Sequence, residues 1–162
     1  MNHFNEDRFE MLYDKYAPML YRIVFIYTGS VQESEDILQE VFIKLLYKAP
    51  HFSSDNHEKA WLIRAVTNSS KDYLKSSRRS NMPLKEELLT DKSVEEDRSI
   101  DIRSKIIGLE EKYKTVVYLF YYEDYSVKEI AACLKLTQSA VKMRLKRARE
   151  ILKTELEGYE NG

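Results

Sequence analysis

The feature that most restricts the fold of this chain is its scarcity of glycine and proline. Its 162 residues include only four Gly and three Pro. Because the turns of all-β proteins rely on these residues, the sequence disfavours a turn-rich sheet and favours long, uninterrupted helices. With 43% hydrophobic and 33% charged residues, the chain can also bury a core, which argues against wholesale disorder. We therefore expect an all-α fold.

Apolar residues recur at helical spacing in three segments of the first half of the chain. The first segment ends near Gly29 and contains Pro18, so we expect a kink there or a late helix start. Ser30 and Glu33 have the spacing of a capping box, which predicts the start of a second helix. A polar loop follows Pro50, and the pattern beyond it predicts a third long helix.

The charges are distributed unevenly along the chain. The first 79 residues are neutral, the next 22 carry a net charge of −4, and the last 61 carry +3. An acidic segment between a neutral and a basic part is typical of two modules and a linker. We predict two small helical domains, residues 1–79 and 94–162, joined by a flexible acidic linker at 80–93.

The last third of the chain has the pattern of a helix-turn-helix. Ser126 and Glu129 repeat the capping-box spacing and predict a short helix. A brief turn separates it from a second helix, in which residues 138–153 hold six basic side chains and one acidic side chain. Two helices joined by a short turn, the second strongly basic, indicate DNA binding.

Upstream, residues 116–122 have the composition of a strand, but no partner strand is evident, so we expect a buried helix there.

No set of residues in the sequence predicts catalysis, a metal site or a cofactor. His51 and His57 flank a loop without a nucleophile or a metal-ligand pattern beside them. We expect Cys133 to be a buried structural thiol, because it falls on the inner face of a helix. The first residues lack a signal pattern and no apolar run reaches membrane-spanning length, so we expect a cytoplasmic protein without membrane insertion.

Three aromatic residues of the first half bear on nucleic-acid binding. We expect Trp61 and Tyr73 to be core aromatics rather than platforms for base stacking. Phe52 differs, because a large apolar side chain in a polar loop has less reason to be buried.

Three segments resemble bacterial extracytoplasmic-function (ECF) sigma factors. Residues 35–42 (EDILQEVF) resemble the signature of region two of that family. Residues 61–79 resemble its promoter-melting and proximal-element segment. Residues 129–131 together with 141–149 resemble its region-four helix-turn-helix. The three segments occur in the family's order and span nearly the whole chain.

The resemblance implies that the chain binds core RNA polymerase and directs it to promoter DNA in the bacterial cytoplasm, with an anti-sigma factor as a common partner. The residues that it assigns to polymerase docking are Asp36, Gln39, Glu40 and Phe42. Those that it assigns to the proximal promoter element and melting are Phe52, Asn68, Asp72, Arg78 and Arg79. Those that it assigns to the upstream promoter element are Ser139, Lys142, Met143, Lys146 and Arg147.

Some positions depart from the family pattern, and two other functions stay open. Thr67 stands where the family usually has a basic residue, and Lys75 stands where it usually has Arg. Lys135 stands at a turn position often held by Gly. Because a left-handed non-Gly residue costs about 1–2 kcal/mol, we expect another geometry at this turn.

One alternative function is an autonomous helix-turn-helix regulator with an N-terminal interaction domain. The other is a helical interaction module whose basic face binds an acidic protein.

Overall fold

The computed structural model describes residues 6–79 and 106–160, apart from the side chains of residues 78–79 and 154–160. All regular structure in these ranges is helical, which confirms the all-α prediction. The first three helices are α1 (Glu6–Thr28), α2 (Val31–Tyr47) and α3 (Asp55–Arg79). The other three are α4 (Glu111–Tyr122), α5 (Val127–Leu134) and α6 (Gln138–Glu160).

The chain divides into two compact units, residues 1–93 and 94–162. The acidic linker that we predict at 80–93 lies outside the described residues. None of the described helices is both long enough and apolar enough to cross a membrane.

Helices α1, α2 and α3 bury their apolar faces against one another. The largest fully buried side chains of this core are Leu20, Ile23, Val24, Tyr27, Phe42, Leu45, Leu62 and Ile63. α1 runs through Pro18, so the expectation of a late helix start is wrong. Proline removes one backbone hydrogen bond from a helix. Pro18 is exposed, and the burial of its neighbours Ala17 and Met19 holds the helix on the core despite that loss.

A buried hydroxyl cluster joins α1 to α2. Gly29, with φ at 64°, takes the left-handed conformation after α1, and its N–H donates to the Phe25 carbonyl at 2.9 Å. Ser30 caps α2 by accepting from the Glu33 N–H at 3.3 Å. The second bond of the predicted capping box is replaced, because the Ser30 N–H donates to the Thr28 hydroxyl at 3.1 Å. The neighbouring side chain therefore completes the cap in place of Glu33.

Helices α4, α5 and α6 form the core of the second unit with the helical residues 106 and 107 before α4. The seven residues from Tyr113 to Leu119 are all buried. An interior segment without an exposed face has no helical periodicity in its sequence, which explains its strand-like composition. The predicted segment, residues 116–122, is helical as expected, but it is buried only as far as Leu119, and Tyr121 near its end is 46% exposed.

The turn between α5 and α6 has the left-handed residue that we did not expect. Ser126 and Glu129 form both bonds of the predicted capping box, each at 3.0 Å. At the other end of α5, Lys135 has φ 56° and ψ 46°. The N–H groups of Lys135 and Leu136 both donate to the Ala131 carbonyl, which closes α5. These bonds offset the steric cost of about 1–2 kcal/mol for a left-handed lysine.

Lys114 is a buried cation in the second unit. Its side chain is on the buried face of α4, and its Nζ donates to the Ile107 carbonyl at 2.8 Å. Burial lowers the pKa of Lys114 to about 8, and the negative charge of Glu111 opposes part of that effect. Lys114 thus connects residue 107 to α4 by a hydrogen bond, but its charged form is destabilised by the loss of contact with water.

Candidate nucleic-acid and protein interfaces

The outer face of α2 carries the polar residues predicted for polymerase docking. Asp36, Gln39 and Glu40 are all exposed. The apolar residues between and beside them point into the core, namely Ile37, Leu38 and Val41. Glu40 pairs with Lys44 at 3.4 Å, but both partners are exposed, so this ion pair contributes little to stability. The three polar side chains are therefore available to a partner without loss of a structural contact.

Phe42 does not belong to that exposed face. Its side chain is only 1% exposed, and its ring lies 5.8 Å from the Phe9 ring and 4.9 Å from the Tyr13 ring. A buried ring cannot touch a docked protein, so of the two roles that the resemblance allows, surface contact or support, only support fits Phe42. It fixes α2 against α1 beneath the polar face.

Two apolar residues extend the exposed face of α2 and were missed by sequence reasoning. Ile43 is 56% exposed and Tyr47 is 77% exposed. Together with Asp36 and Glu40 they follow at intervals of four, three and four residues, which places all four on one helical stripe. The spacing alone contained this signal, but an apolar residue within a helical pattern is ordinarily assigned to the core.

Phe52, in the loop between α2 and α3, forms a cluster of three aromatic rings with two residues of α3. Phe52 is half-buried, and its ring meets His57 edge-on at 5.2 Å and Trp61 at 5.8 Å. Ser54 caps α3 by accepting from the His57 N–H at 3.1 Å. Trp61 is itself half-buried, so the expectation of a core tryptophan is wrong. Tyr73 is likewise half-buried rather than part of the core.

Asn68 and Asp72 are exposed on α3. Trp61, Asn68 and Asp72 are separated by seven and four residues, so the structure places them along one face of the helix. Arg78 and Arg79 are the last two residues of α3, and their side chains lie outside the described part. The aromatic cluster and the two polar residues therefore form one surface, to which the arginines are adjacent in the chain.

The second helix of the helix-turn-helix separates its side chains into a buried and an exposed set. Val141, Leu145 and Ala148 are at most 1% exposed. The residues predicted to contact the upstream element are all exposed: Ser139, Lys142, Met143, Lys146 and Arg147. Met143, at 52% exposed, offers an apolar contact, such as one with a thymine methyl group.

The basic residues of α6 do not all face outward together. The Arg144 guanidinium donates to the Lys112 carbonyl at 3.3 Å, and the Arg149 guanidinium lies 5.9 Å from the Phe120 ring centre. Both contacts attach α6 to its own unit. Two of the six basic side chains thus have contacts within the unit, and Lys142, Lys146 and Arg147 are the exposed cations nearest the start of the helix.

Possible metal ligands occur across the described residues. Within residues 6–79 and 106–160, no group of three or more His, Cys, Asp and Glu side chains is placed to hold a metal ion. The thiol of Cys133 is buried.

Comparison with known proteins agrees with these two units. The family profile of Sigma-70 region 2 matches residues 12–80, and that of Sigma-70, region 4, matches residues 99–152. The ECF RNA polymerase sigma factor SigW of Bacillus subtilis is 28% identical over 94% of this chain and 90% of its own length. The RNA polymerase sigma factor SigZ of the same organism is 31% identical, covering 76% of this chain and 73% of SigZ.

A solved structure has the same fold. It is a co-crystal structure of the sigma factor RpoE in complex with the anti-sigma factor NepR from Bartonella quintana. The TM-score is 0.67 at 19% identity, covering 93% of this chain and 97% of that chain.

The two matched regions, in this order and on these helices, define an RNA polymerase sigma factor of the Sigma-70 class. The chain belongs to the ECF sigma factor family, which confirms the resemblance seen in its sequence. Its function is that of an RNA polymerase sigma factor in transcription initiation, and neither alternative is favoured. Sigma factors are not enzymes.

Proposed function

We propose that three exposed surfaces of this chain carry out promoter-specific initiation. The polar face of α2 binds core RNA polymerase. The loop before α3, with the outer face of α3, holds unpaired bases of the melted promoter, and the start of α6 contacts the upstream element. The observation that carries the proposal is that the assigned polar side chains that the structure describes lie on the exposed faces of these helices, opposite buried apolar faces.

Promoter melting is assigned to Phe52, Asn68 and Asp72, with Arg78 and Arg79 for nearby phosphates. Extruding a base from a duplex costs a few kcal/mol, which a shaped site must recover through stacking and hydrogen bonds. Phe52 supplies a ring, Asn68 supplies both a donor and acceptors, and Asp72 supplies acceptors. The half-buried ring and the two exposed polar side chains match this requirement. We propose that the polymerase performs all bond chemistry and that this chain performs none.

The upstream surface combines two kinds of contact. Lys142 and Lys146 suit phosphates, which add affinity independent of sequence, whereas Arg147 suits a bidentate contact with a guanine edge. Ser139 lies at the start of α6, where side chains reach the groove or the backbone in this class of motif.

Substitution of two basic residues of α6 separates these contacts. We expect Arg147→Ala to change which upstream elements are preferred, with a loss of about 1–3 kcal/mol at the base that it reads. We expect Lys153→Ala, a substitution of an exposed lysine further along α6, to weaken all promoters alike and to reduce the salt dependence. The measurement is holoenzyme binding to a panel of upstream elements at several salt concentrations. Identical promoter rankings for both variants would contradict the assignment of Arg147.

We also propose two features of the cellular setting. The chain works in the bacterial cytoplasm, where core RNA polymerase is found. An anti-sigma factor is a partner, a proposal that the family membership supports and that the complex of the RpoE neighbour illustrates for that protein.

The proposed function predicts that the free protein binds duplex promoter weakly until core polymerase is added. The basic segment of α6 spans about four turns and reaches few base pairs. The acidic segment of the chain, with net −4, competes with DNA for these cations at low ionic strength. Polymerase converts two weak contacts into one bivalent contact of high effective concentration.

A gel-shift titration of duplex promoter at near-physiological salt, with and without core enzyme, checks this prediction. We expect sequence-specific binding only with core enzyme present. Tight, specific binding by the chain alone would favour an autonomous regulator instead.

A further inference from the structure

We propose that His57 is a positioning residue that holds Phe52 in the orientation needed to capture an unpaired promoter base. The proposal rests on the proposed function of the loop before α3. The sequence indicated no function for His57. The proposed role follows from two contacts that the fold creates.

The first contact is a hydrogen bond back to the loop. The Ser53 N–H donates to Nδ1 of His57 at 3.2 Å, and the Ser53 hydroxyl lies 3.4 Å from the same atom. Since a backbone N–H can only donate, Nδ1 is the acceptor, and a neutral ring then carries its proton on Nε2. Together with the Ser54 cap, this bond fixes the backbone where the loop joins the first turn of α3. His57 stands at the position that Glu holds in a capping box, but it accepts from the N–H of the residue before the N-cap instead of from the N-cap itself.

The second contact distinguishes His57 from a simple helix cap. Its ring meets the Phe52 ring edge-on, with centres 5.2 Å apart and planes at 87°. The Phe52 ring also meets the Trp61 ring at 5.8 Å and 65°. Phe52 thus contacts two rings of α3 while it remains half-buried, so part of it stays open to a ligand. A capping glutamate would supply the hydrogen bond but not the ring contact.

We expect loss of the His57 side chain to weaken base capture rather than folding. Without the His57 ring, Phe52 regains rotamer freedom and must be ordered again each time it binds a base. Ordering one such side chain costs a factor of about three to ten in affinity. The polar face of α2 and the DNA-contacting face of α6 are distinct from this cluster, so polymerase binding and upstream-element binding are unaffected.

The test compares holoenzymes that carry single and double substitutions. One probe is a forked promoter with a single-stranded non-template segment, and the other is a duplex with the upstream element only. We expect His57→Ala to weaken binding to the fork by about three- to tenfold and to leave the duplex unchanged. His57→Asn, which retains an acceptor near the helix start, tests the ring contact and is expected to lose similar affinity for the fork.

Double substitution decides whether His57 acts through Phe52. We expect His57→Ala to have no further effect on the fork in a Phe52→Ala background, because the group that it positions is then absent. A full additional loss in that background would overturn the proposal, and so would wild-type fork affinity for both His57 variants with the native unfolding temperature. If Phe52→Ala, Asn68→Ala and Asp72→Ala also leave the fork affinity unchanged, the proposed capture surface itself is wrong.

Discussion

Replacing Lys114 with Met is expected to stabilise the second unit by about 2 kcal/mol at neutral pH. The lowering of the Lys114 pKa from 10.5 to about 8 corresponds to a penalty of about 3 kcal/mol for holding the charged form in the folded state. Removing the amine also deprives the Ile107 carbonyl of its donor, which costs about 1 kcal/mol. The desolvation penalty is the larger of the two effects, so the substitution is favourable.

The same residue makes stability depend on pH. Between pH 8 and 10.5 the unfolded chain holds more protons at this position than the folded chain, because only the folded-state pKa is lowered. The free energy of unfolding therefore rises with pH through this window, and below pH 8 the full penalty is present. Lys114→Met is expected to remove this rise.

Urea unfolding followed by circular dichroism from pH 6 to 10 measures both effects. The fluorescence of Trp61, the single tryptophan, reports separately on the first unit. Lys112→Met is the matched control, because Lys112 is an exposed lysine on the same helix with a surface ion pair to Glu110. A Lys114→Met protein that is less stable than the wild type, or that keeps the pH-dependent rise, would contradict the account of a penalised buried charge.

Replacing Asp36, Gln39 and Glu40 together with Ala is expected to weaken core polymerase binding by about 30-fold or more, the scale of a lost interface hot spot. Folding should be almost unaffected, because all three side chains are exposed and alanine is favourable in a helix. Affinity of the labelled protein for core enzyme is the measurement. The double substitution of Glu10 and Asp14 with Ala on the exposed side of α1 removes the same charge and serves as the control.

The apolar end of the α2 stripe adds a second arm to this experiment. If Ile43 and Tyr47 belong to the same contact surface, Ile43→Gln with Tyr47→Gln should weaken binding further, since apolar side chains form the centre of most interfaces. Met11→Gln on α1 is the control, because Met11 is 61% exposed and lies on another helix. Unchanged core affinity of the triple alanine variant with native circular dichroism would remove the proposed role of Asp36, Gln39 and Glu40.

The helices themselves were predictable because their signals act over three or four residues. The capping box at Ser126 and Glu129 forms as expected, since both of its bonds are local. The identical spacing at Ser30 and Glu33 gives only one of the two bonds, because the Thr28 hydroxyl lies close enough to accept the Ser30 N–H. Spacing therefore predicted the start of the helix but not the partner that completes its cap.

Sequence was enough to establish the all-α class, the helix-turn-helix and the family, because periodicity, capping residues and motif order are properties of the chain. Which of these residues a partner can touch became clear only from the folded structure. It buries Phe42, exposes Tyr47 on the same helix, and brings Arg144 and Arg149 into contact with their own unit. The physical reason is that accessibility depends on neighbours distant in the chain, and a pattern of polar and apolar residues does not record which helix covers which face.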